Sequence, residues 1–412
     1  MIDLKAARAD PGGYRAALAR RGYAEELDAL LAADERRRSL LPRIEELRAR
    51  RKLKGKPSPE QLEELAQVKE ELSQLEAELE AADTDLERLL AVIPNLPDPE
   101  APDGVTDEEA VELRRVGEPA ELGFEPLDHL ELAWIDMERG AKVSGSRFAY
   151  RVGDVALLEL SLYRWALDRL VRKGFVPMLP PVLVREEAMY GTGFLPTDEV
   201  NLYRLERDNL YLTGTSEVAL ASFHMGEILD EDELPRQYAA FSTNFRRESG
   251  AAGKDTRGMF RVHQFDKVEM FVFSVPEESR EWHERLLAIE EELVEELGIP
   301  YRVVDIPVGD LGSSAARKFD IEAWFPSQER YREITSTSNT TDYQARRLDV
   351  RVRREGGGGL EPVHTLNGTA VTARAMLAVL ENFQDDGSSV AVPEALVEFG
   401  APARVGAEKA GV

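Results

Sequence analysis

The densest chemistry in this sequence lies between Phe245 and Phe271, FRRESGAAGKDTRGMFRVHQFDKVEMF, where cations, carboxylates, glycines and alternating apolar residues share one short stretch. Phe245-Arg246-Arg247-Glu248 and Val262-His263-Gln264-Phe265 read as the ends of two strands, with Gly250, Gly253 and Gly258 marking the loop between them. Such a hairpin can hold a nucleotide. Arg246 and Arg247 can fork onto a polyphosphate, Phe265 offers a flat face for a purine, and Glu248 an acceptor for its exocyclic amine. A surface hairpin with charged edges would use the same residue types, so this segment alone leaves both readings open.

The elements that would carry such a site follow from the hydrophobic pattern. Strand candidates run over 174–184, 210–212, 267–273, 301–305, 318–324 and 330–335, and helical periodicity covers 155–173, 281–297 and 373–382. Strands punctuated by helices, without regular βαβ alternation, predict an α+β fold with a mainly antiparallel sheet. Upstream, Leu65, Val68, Leu72, Leu75, Leu79, Ala82, Leu86, Leu89 and Ile93 alternate spacings of three and four, the pattern of a coiled-coil seam. An earlier stretch, 24–54, supplies Leu27, Leu31, Leu40, Ile44 and Leu47, and Gly55-Lys56-Pro57-Ser58-Pro59 breaks the helix between the two. Two such helices make an antiparallel hairpin on the order of 45 Å long, with Pro42 expected to kink or divide the first. The domains expected are a helical arm over 1–100, an acidic, Pro- and Gly-bearing linker over 101–119, and a body over 120–412.

Composition narrows the function. With 412 residues, 43% hydrophobic and 32% charged, the chain suits roughly two or three soluble domains. It has no cysteine, which excludes disulfides and thiolate metal sites. Its five histidines, His129, His224, His263, His283 and His364, lack metal-ligand spacing and read as packing or surface residues. The charged start, MIDLKAARAD, and the lack of an apolar run near the ~20 residues needed to span a bilayer predict a cytoplasmic protein with no membrane contact. A net charge of −26 repels nucleic acid from most of the surface and argues against indiscriminate nucleic-acid binding, and no DNA partner is expected. Against that background Arg48, Arg50, Arg51, Lys52, Lys54 and Lys56 put six cations and no acid within nine residues, at the expected tip of the arm. A self-repelling helix end would look the same; contact with a polyanion would explain the location as well.

Taken in order, the motifs resemble those of the bacterial seryl-tRNA synthetases, members of the class II aminoacyl-tRNA synthetases. Lys173-Gly174-Phe175 leading to Pro181 resembles class II motif 1, Phe245-Arg246-Arg247-Glu248 through Glu269 resembles motif 2, and Leu366-Asn367-Gly368-Thr369 with Arg374 and Val379-Leu380-Glu381-Asn382 resembles motif 3. Thr213-Gly214-Thr215-Ser216-Glu217 is similar to the family's TxE serine loop, and Glu333-Ile334-Thr335-Ser336 to its E-x-x-S segment. The likeness runs from the arm to the C-terminus.

The resemblance implies a class II antiparallel sheet flanked by helices, an N-terminal coiled-coil arm, and serine-tRNA ligase activity through a seryl-adenylate. It implies ATP as substrate with Mg²⁺, L-serine, tRNA(Ser) and, where that tRNA exists, tRNA(Sec). It further implies a homodimer in which one subunit's arm holds the tRNA that the other serves. By position, Arg246, Glu333 and Arg374 would be catalytic. Arg246, Arg247, Glu248, Val262, Phe265, Glu333, Ile334, Thr335, Ser336 and Arg374 would line ATP, with Glu333 and Ser336 on the metal. Thr215, Ser216, Glu217, Glu269 and Thr369 would surround serine, and the six tip cations would meet tRNA. Adenylate chemistry needs cations around phosphorus and no side-chain nucleophile, since the amino-acid carboxylate attacks. Two other functions share parts of this pattern: a paralogue that loads a carrier protein, and an RNA-binding scaffold with a decayed body. The basic-tipped arm argues against the first, and Arg246, Glu248, Glu269, Glu333 and Arg374 together argue against the second.

Overall fold

The computed structural model describes residues 1–52, 58–249, 258–385 and 389–406. It divides into two compact units, Met1–Pro97 and Asp98–Val412. Lys54 and Lys56 of the tip, Gly55 and Pro57 of the helix break, and Gly250 and Gly253 of the expected loop lie outside the described residues.

In the first unit, helices Leu4–Ala9 and Pro11–Ala19 precede two long ones, α1 (Ala24–Arg50) and α2 (Pro59–Val92). Ser58 and Gln61 form a capping box with Pro59 just inside, which fixes where α2 starts. Arg36 pairs with Glu78, Arg43 with Glu71 and Arg50 with Glu64: each step of seven up α1 is a step of seven down α2. The hairpin is therefore antiparallel and in heptad register, with exposed ion pairs that set alignment more than stability. Its seam falls into two clusters. Leu40, Ile44, Leu47, Val68 and Leu72 form the outer one, and Ile2, Ala7, Leu18, Leu27, Leu30, Leu89 and Ile93 the one at the base. Contrary to expectation, α1 runs through Pro42 undivided. Pro42 lies on the exposed face, where water can serve the carbonyl that loses its donor.

The second unit is built on an eight-stranded sheet of β1 (Val111–Val116), β2 (Val176–Met178), β3 (Arg236–Phe245), β4 (Gln264–Ser274), β5 (Tyr301–Asp305), β6 (Arg317–Phe325), β7 (Arg330–Thr341) and β8 (His364–Thr372), in the order β1-β5-β6-β7-β8-β4-β3-β2. Every neighbouring pair is antiparallel except β2 with β3. β1 lies inside the segment expected to be a linker. Its alternating Val-Glu-Leu-Arg-Arg-Val suits a sheet edge, and Arg114 bonds Glu291 while Arg302 reaches Glu112.

Strand alternation sorts the sheet into two faces. Val268, Met270 and Val272 of β4 join the main core beneath helices α3 (Asp154–Arg172), α5 (Ser279–Glu296) and α7 (Ala373–Asn382). On the other face Phe271 and Phe273 are covered by α4 (Glu217–Ala221) and α6 (Tyr343–Leu348), and Phe265, Lys267 and Glu269 continue the same row. Gly368 in β8 has a packing role: a Cβ there would stand 2.8 Å from Glu290 Oε1 and 3.1 Å from Met270 Cε. Glu290 is fully buried on α5, accepts from Thr335 Oγ1 at 3.0 Å, and is pushed well above the usual carboxyl range by burial.

Candidate active site

Arg246 leaves the end of β3 tethered. Its Nε donates to the Gly214 carbonyl at 3.0 Å and its guanidinium lies 5.3 Å from the Phe265 ring centroid. Among the described residues no group bonds its two Nη nitrogens, which leaves a fork for an anion. Glu248 adopts a left-handed backbone (φ 51°) and accepts from Arg261 Nη1 at 2.5 Å. Arg247 turns elsewhere, donating from Nε to the Leu202 carbonyl at 2.7 Å and lying 4.8 Å from the Tyr203 ring. Val262 is buried just ahead of β4.

A register shift places the second group. On a regular strand Glu333 and Ser336, three apart, would face opposite sides; here Glu333 pairs with Glu322 and Thr335 with Ile321, so Ile334 is an extra residue and the two share a face. Ile334 and Thr335 are buried, and Thr335 points its hydroxyl to Glu290, so neither side chain is turned toward a ligand on the Glu333 face. Arg374 Nη1 meets Glu333 Oε2 at 3.0 Å and its Nε donates to the Phe260 carbonyl at 3.3 Å. Confinement disfavours charge on Glu333, but Arg374, Lys318 and Arg246 outweigh it and lower the carboxyl to about 2. Its side chain remains 45% exposed, within reach of a ligand. Beside it Asp320 is raised to about 7 by burial against the opposing pull of Lys318 at 3.1 Å, and takes a hydrogen bond from Ser336.

The third group is buried and polar. Thr215, Ser216, Glu217, Glu269 and Thr369 are all buried, and Glu269 stands opposite Thr369 on β8 and Ala240 on β3. Lys267, two residues before Glu269 and therefore on the same face, pairs with its carboxylate and donates from Nζ to Thr215 Oγ1 at 2.8 Å. Glu217 Oε1 accepts from Gln344 Nε2 at 2.7 Å and Asn367 Nδ2 at 3.0 Å. Burial, with Glu269 adding to it, raises Glu217 to about 7.

Lys267, Gln344, Arg261 and Asp320 were not singled out from the sequence. Period two places Lys267 between Phe265 and Glu269, a signal that could have found it; nothing local relates Gln344 to Glu217. At the tip, Arg48 bonds Glu76 and Arg50 bonds Glu64, while no described residue pairs with Arg51 or Lys52. No cluster of three metal-binding side chains occurs among the described residues.

The chain is similar to known proteins over nearly its whole length. Residues 1–97 match the family described as seryl-tRNA synthetase N-terminal domain, and residues 203–383 the tRNA synthetase class II core domain (G, H, P, S and T). The serine-tRNA ligase of Acidothermus cellulolyticus is 52% identical over 97% of this chain and 98% of its own, and that of Thermobifida fusca 51% identical over 97% of each. The seryl-tRNA synthetase of Pyrococcus horikoshii, solved in complex with ATP, superposes with a TM-score of 0.91 at 40% identity, covering 99% of this chain and 100% of that one. The cytoplasmic serine-tRNA ligase of Naegleria fowleri, in complex with AMP, gives 0.86 at 32% identity, covering 97% and 96%.

Proposed function

The chain belongs to the seryl-tRNA synthetase family of class II aminoacyl-tRNA synthetases, and on that premise we propose that it activates L-serine with ATP and transfers the seryl group to tRNA(Ser). One observation carries the reading: a tethered arginine fork, an ionised Glu333 beside Arg374, and a buried polar cluster lie in the same unit, built around one sheet. A serine carboxylate oxygen attacks the α-phosphorus of ATP and pyrophosphate leaves. Arg246 binds the α-phosphate and the attacking carboxylate, and Arg374 reaches the departing phosphates. Phe265 stacks on adenine, Glu248 accepts from its amine, and the buried main chain at Val262 lines that end.

A magnesium ion fits the same edge, since such ions take one or two carboxylates along with phosphate and water, and Glu333 and Ser336 share a face. Bound there it would neutralise phosphate charge, and Glu333 and Ser336 would supply oxygens to hold it. Glu217 faces the serine ammonium, and Glu269, paired with Lys267, accepts from the hydroxyl with Thr369 opposite. A site built to bond a hydroxyl leaves groups unpaired with alanine, whereas threonine is refused only by lack of room.

The finer attributes follow the family: serylation of tRNA(Sec) where it exists, a cytoplasmic location and a homodimer. Leu157 and Leu160 on α3, Val176 on edge strand β2 and Leu179 just after it are exposed apolar residues that suit a second copy. No described helix is long and apolar enough to cross a membrane.

Aminoacylation of purified tRNA(Ser) with serine, threonine and alanine side by side tests the reading. Serine should be charged, alanine disfavoured by about 10⁴ and threonine by about 10². Equal use of the three, or no serine-dependent charging, refutes it.

Glu217 adds a pH dependence. Its folded value near 7 exceeds its ordinary 4.5, so the fold holds a proton that the unfolded chain releases, and its contribution to stability is lost as pH rises from 4.5 through 7. An ammonium ligand prefers the ionised carboxylate. The KM for serine should therefore fall about tenfold between about pH 6 and pH 8 while the ligand-free protein's Tm declines over the same interval, both read against Glu217→Gln, which should respond to neither.

A further inference from the structure

His129 read from the sequence as an ordinary packing or surface residue; it is buried, and every polar atom of its ring is engaged. Nε2 accepts from the Met259 amide at 3.1 Å, so the proton of the neutral ring sits on Nδ1, which meets Glu381 Oε1 at 2.9 Å. Glu381, fully buried at the end of α7, accepts at its other oxygen from Ser327 Oγ at 2.6 Å. Gly258 makes the approach possible: its φ is +80°, and a Cβ there would stand 2.3 Å from His129 Nε2.

What this relay holds is the stem of the loop that returns to β4. Phe260 packs edge-on against His129 at 5.5 Å and against Phe325 at 4.6 Å, with the Arg332 guanidinium 4.3 Å from its ring centroid. Its carbonyl receives Arg374 Nε, and the next residue, Arg261, holds Glu248. Moving Met259 would thus move the partners of both Arg374 and Glu248. Among the described residues, Thr215, Glu217 and Glu269 take their partners from Lys267, Gln344 and Asn367 and not from this stem.

We infer that His129 is a positioning residue for the ATP half of the site, acting through the backbone of 258–262; this rests on the ligase reading above. The relay Ser327–Glu381–His129–Met259 couples the end of α7 to the stem without touching substrate. A role of this kind separates the two substrates, where general loosening of the core would not.

The test is serine-dependent pyrophosphate exchange with full-length protein, measuring KM for ATP and for serine separately. His129→Leu, which keeps bulk but no acceptor, should raise KM for ATP about tenfold and leave KM for serine within about twofold. His129→Gln, whose amide oxygen can replace Nε2, should return KM for ATP to within about threefold of the parent. Equal rises for both substrates, or a glutamine variant no better than leucine, overturn the inference. If the leucine variant does not fold, Gly258→Ala, which removes no relay group but pushes the imidazole away from the stem, must show the same ATP-selective rise; an unchanged KM for ATP overturns it. Absence of exchange in the parent protein would instead count against the ligase reading.

Discussion

Arg246→Ala should lower kcat for serine-dependent pyrophosphate exchange by about 10² to 10³, the loss expected when a transition-state donor is removed. The argument is geometric. Nε is fixed on the Gly214 carbonyl and the guanidinium carbon lies 5.3 Å from the Phe265 ring centroid, so the Nη fork is held in place before substrate arrives. Arg246→Lys should recover little: an ammonium keeps the charge but cannot bond Gly214 and present two further donors in a plane. Arg246 also helps lower Glu333, but Arg374 and Lys318 act more strongly, so that carboxylate should stay ionised in the variant. Near-normal exchange in the alanine variant would refute the assignment.

Replacing residues 40–79 by a short turn should abolish charging of tRNA(Ser) and leave pyrophosphate exchange within about twofold of the parent, as expected for separate compact units. The seam indicates that what remains will fold. The cut removes the outer cluster of Leu40, Ile44, Leu47, Val68 and Leu72 and spares the base cluster from Ile2 to Ile93. The tip cations are not equivalent. Arg48 and Arg50 are paired with Glu76 and Glu64, so Arg51 and Lys52 should carry more of the counterion release. Replacing those two by glutamine should flatten the slope of log affinity against log salt by about 1 to 2. Equal survival of charging and exchange in the excised protein would remove the arm from tRNA reading.

How legible the molecule was depended on how local its causes are. Tyr301–Asp305 and Ala373–Asn382 emerged with the boundaries expected, because each is an uninterrupted run of one period between breakers. The strand inside 101–119 did not, since an edge strand with charges on both faces resembles a polar connection. The site divides similarly. Residues proposed to act through type and position, such as Arg246, Glu248 and Glu269, were named from their motifs. Gln344, which donates to Glu217 across 127 positions, and His129, which meets Glu381 across 252, owe their places to the fold alone. Arg247 shows the converse: its type suited phosphate, and the Leu202 carbonyl and Tyr203 ring hold it instead.

The ion pairs repeated every seven residues along α1 and α2 limit how such a hairpin can diverge. A single inserted residue on one helix would turn every later arginine away from its glutamate, and one on each would still rotate the apolar seam outward. Viable relatives should lengthen or shorten the pair by whole matched repeats, each worth about 10 Å of helix. The distance from base to turn then behaves as a ruler with coarse divisions, and a nucleic acid that must be met there can change its own dimensions only in comparable jumps.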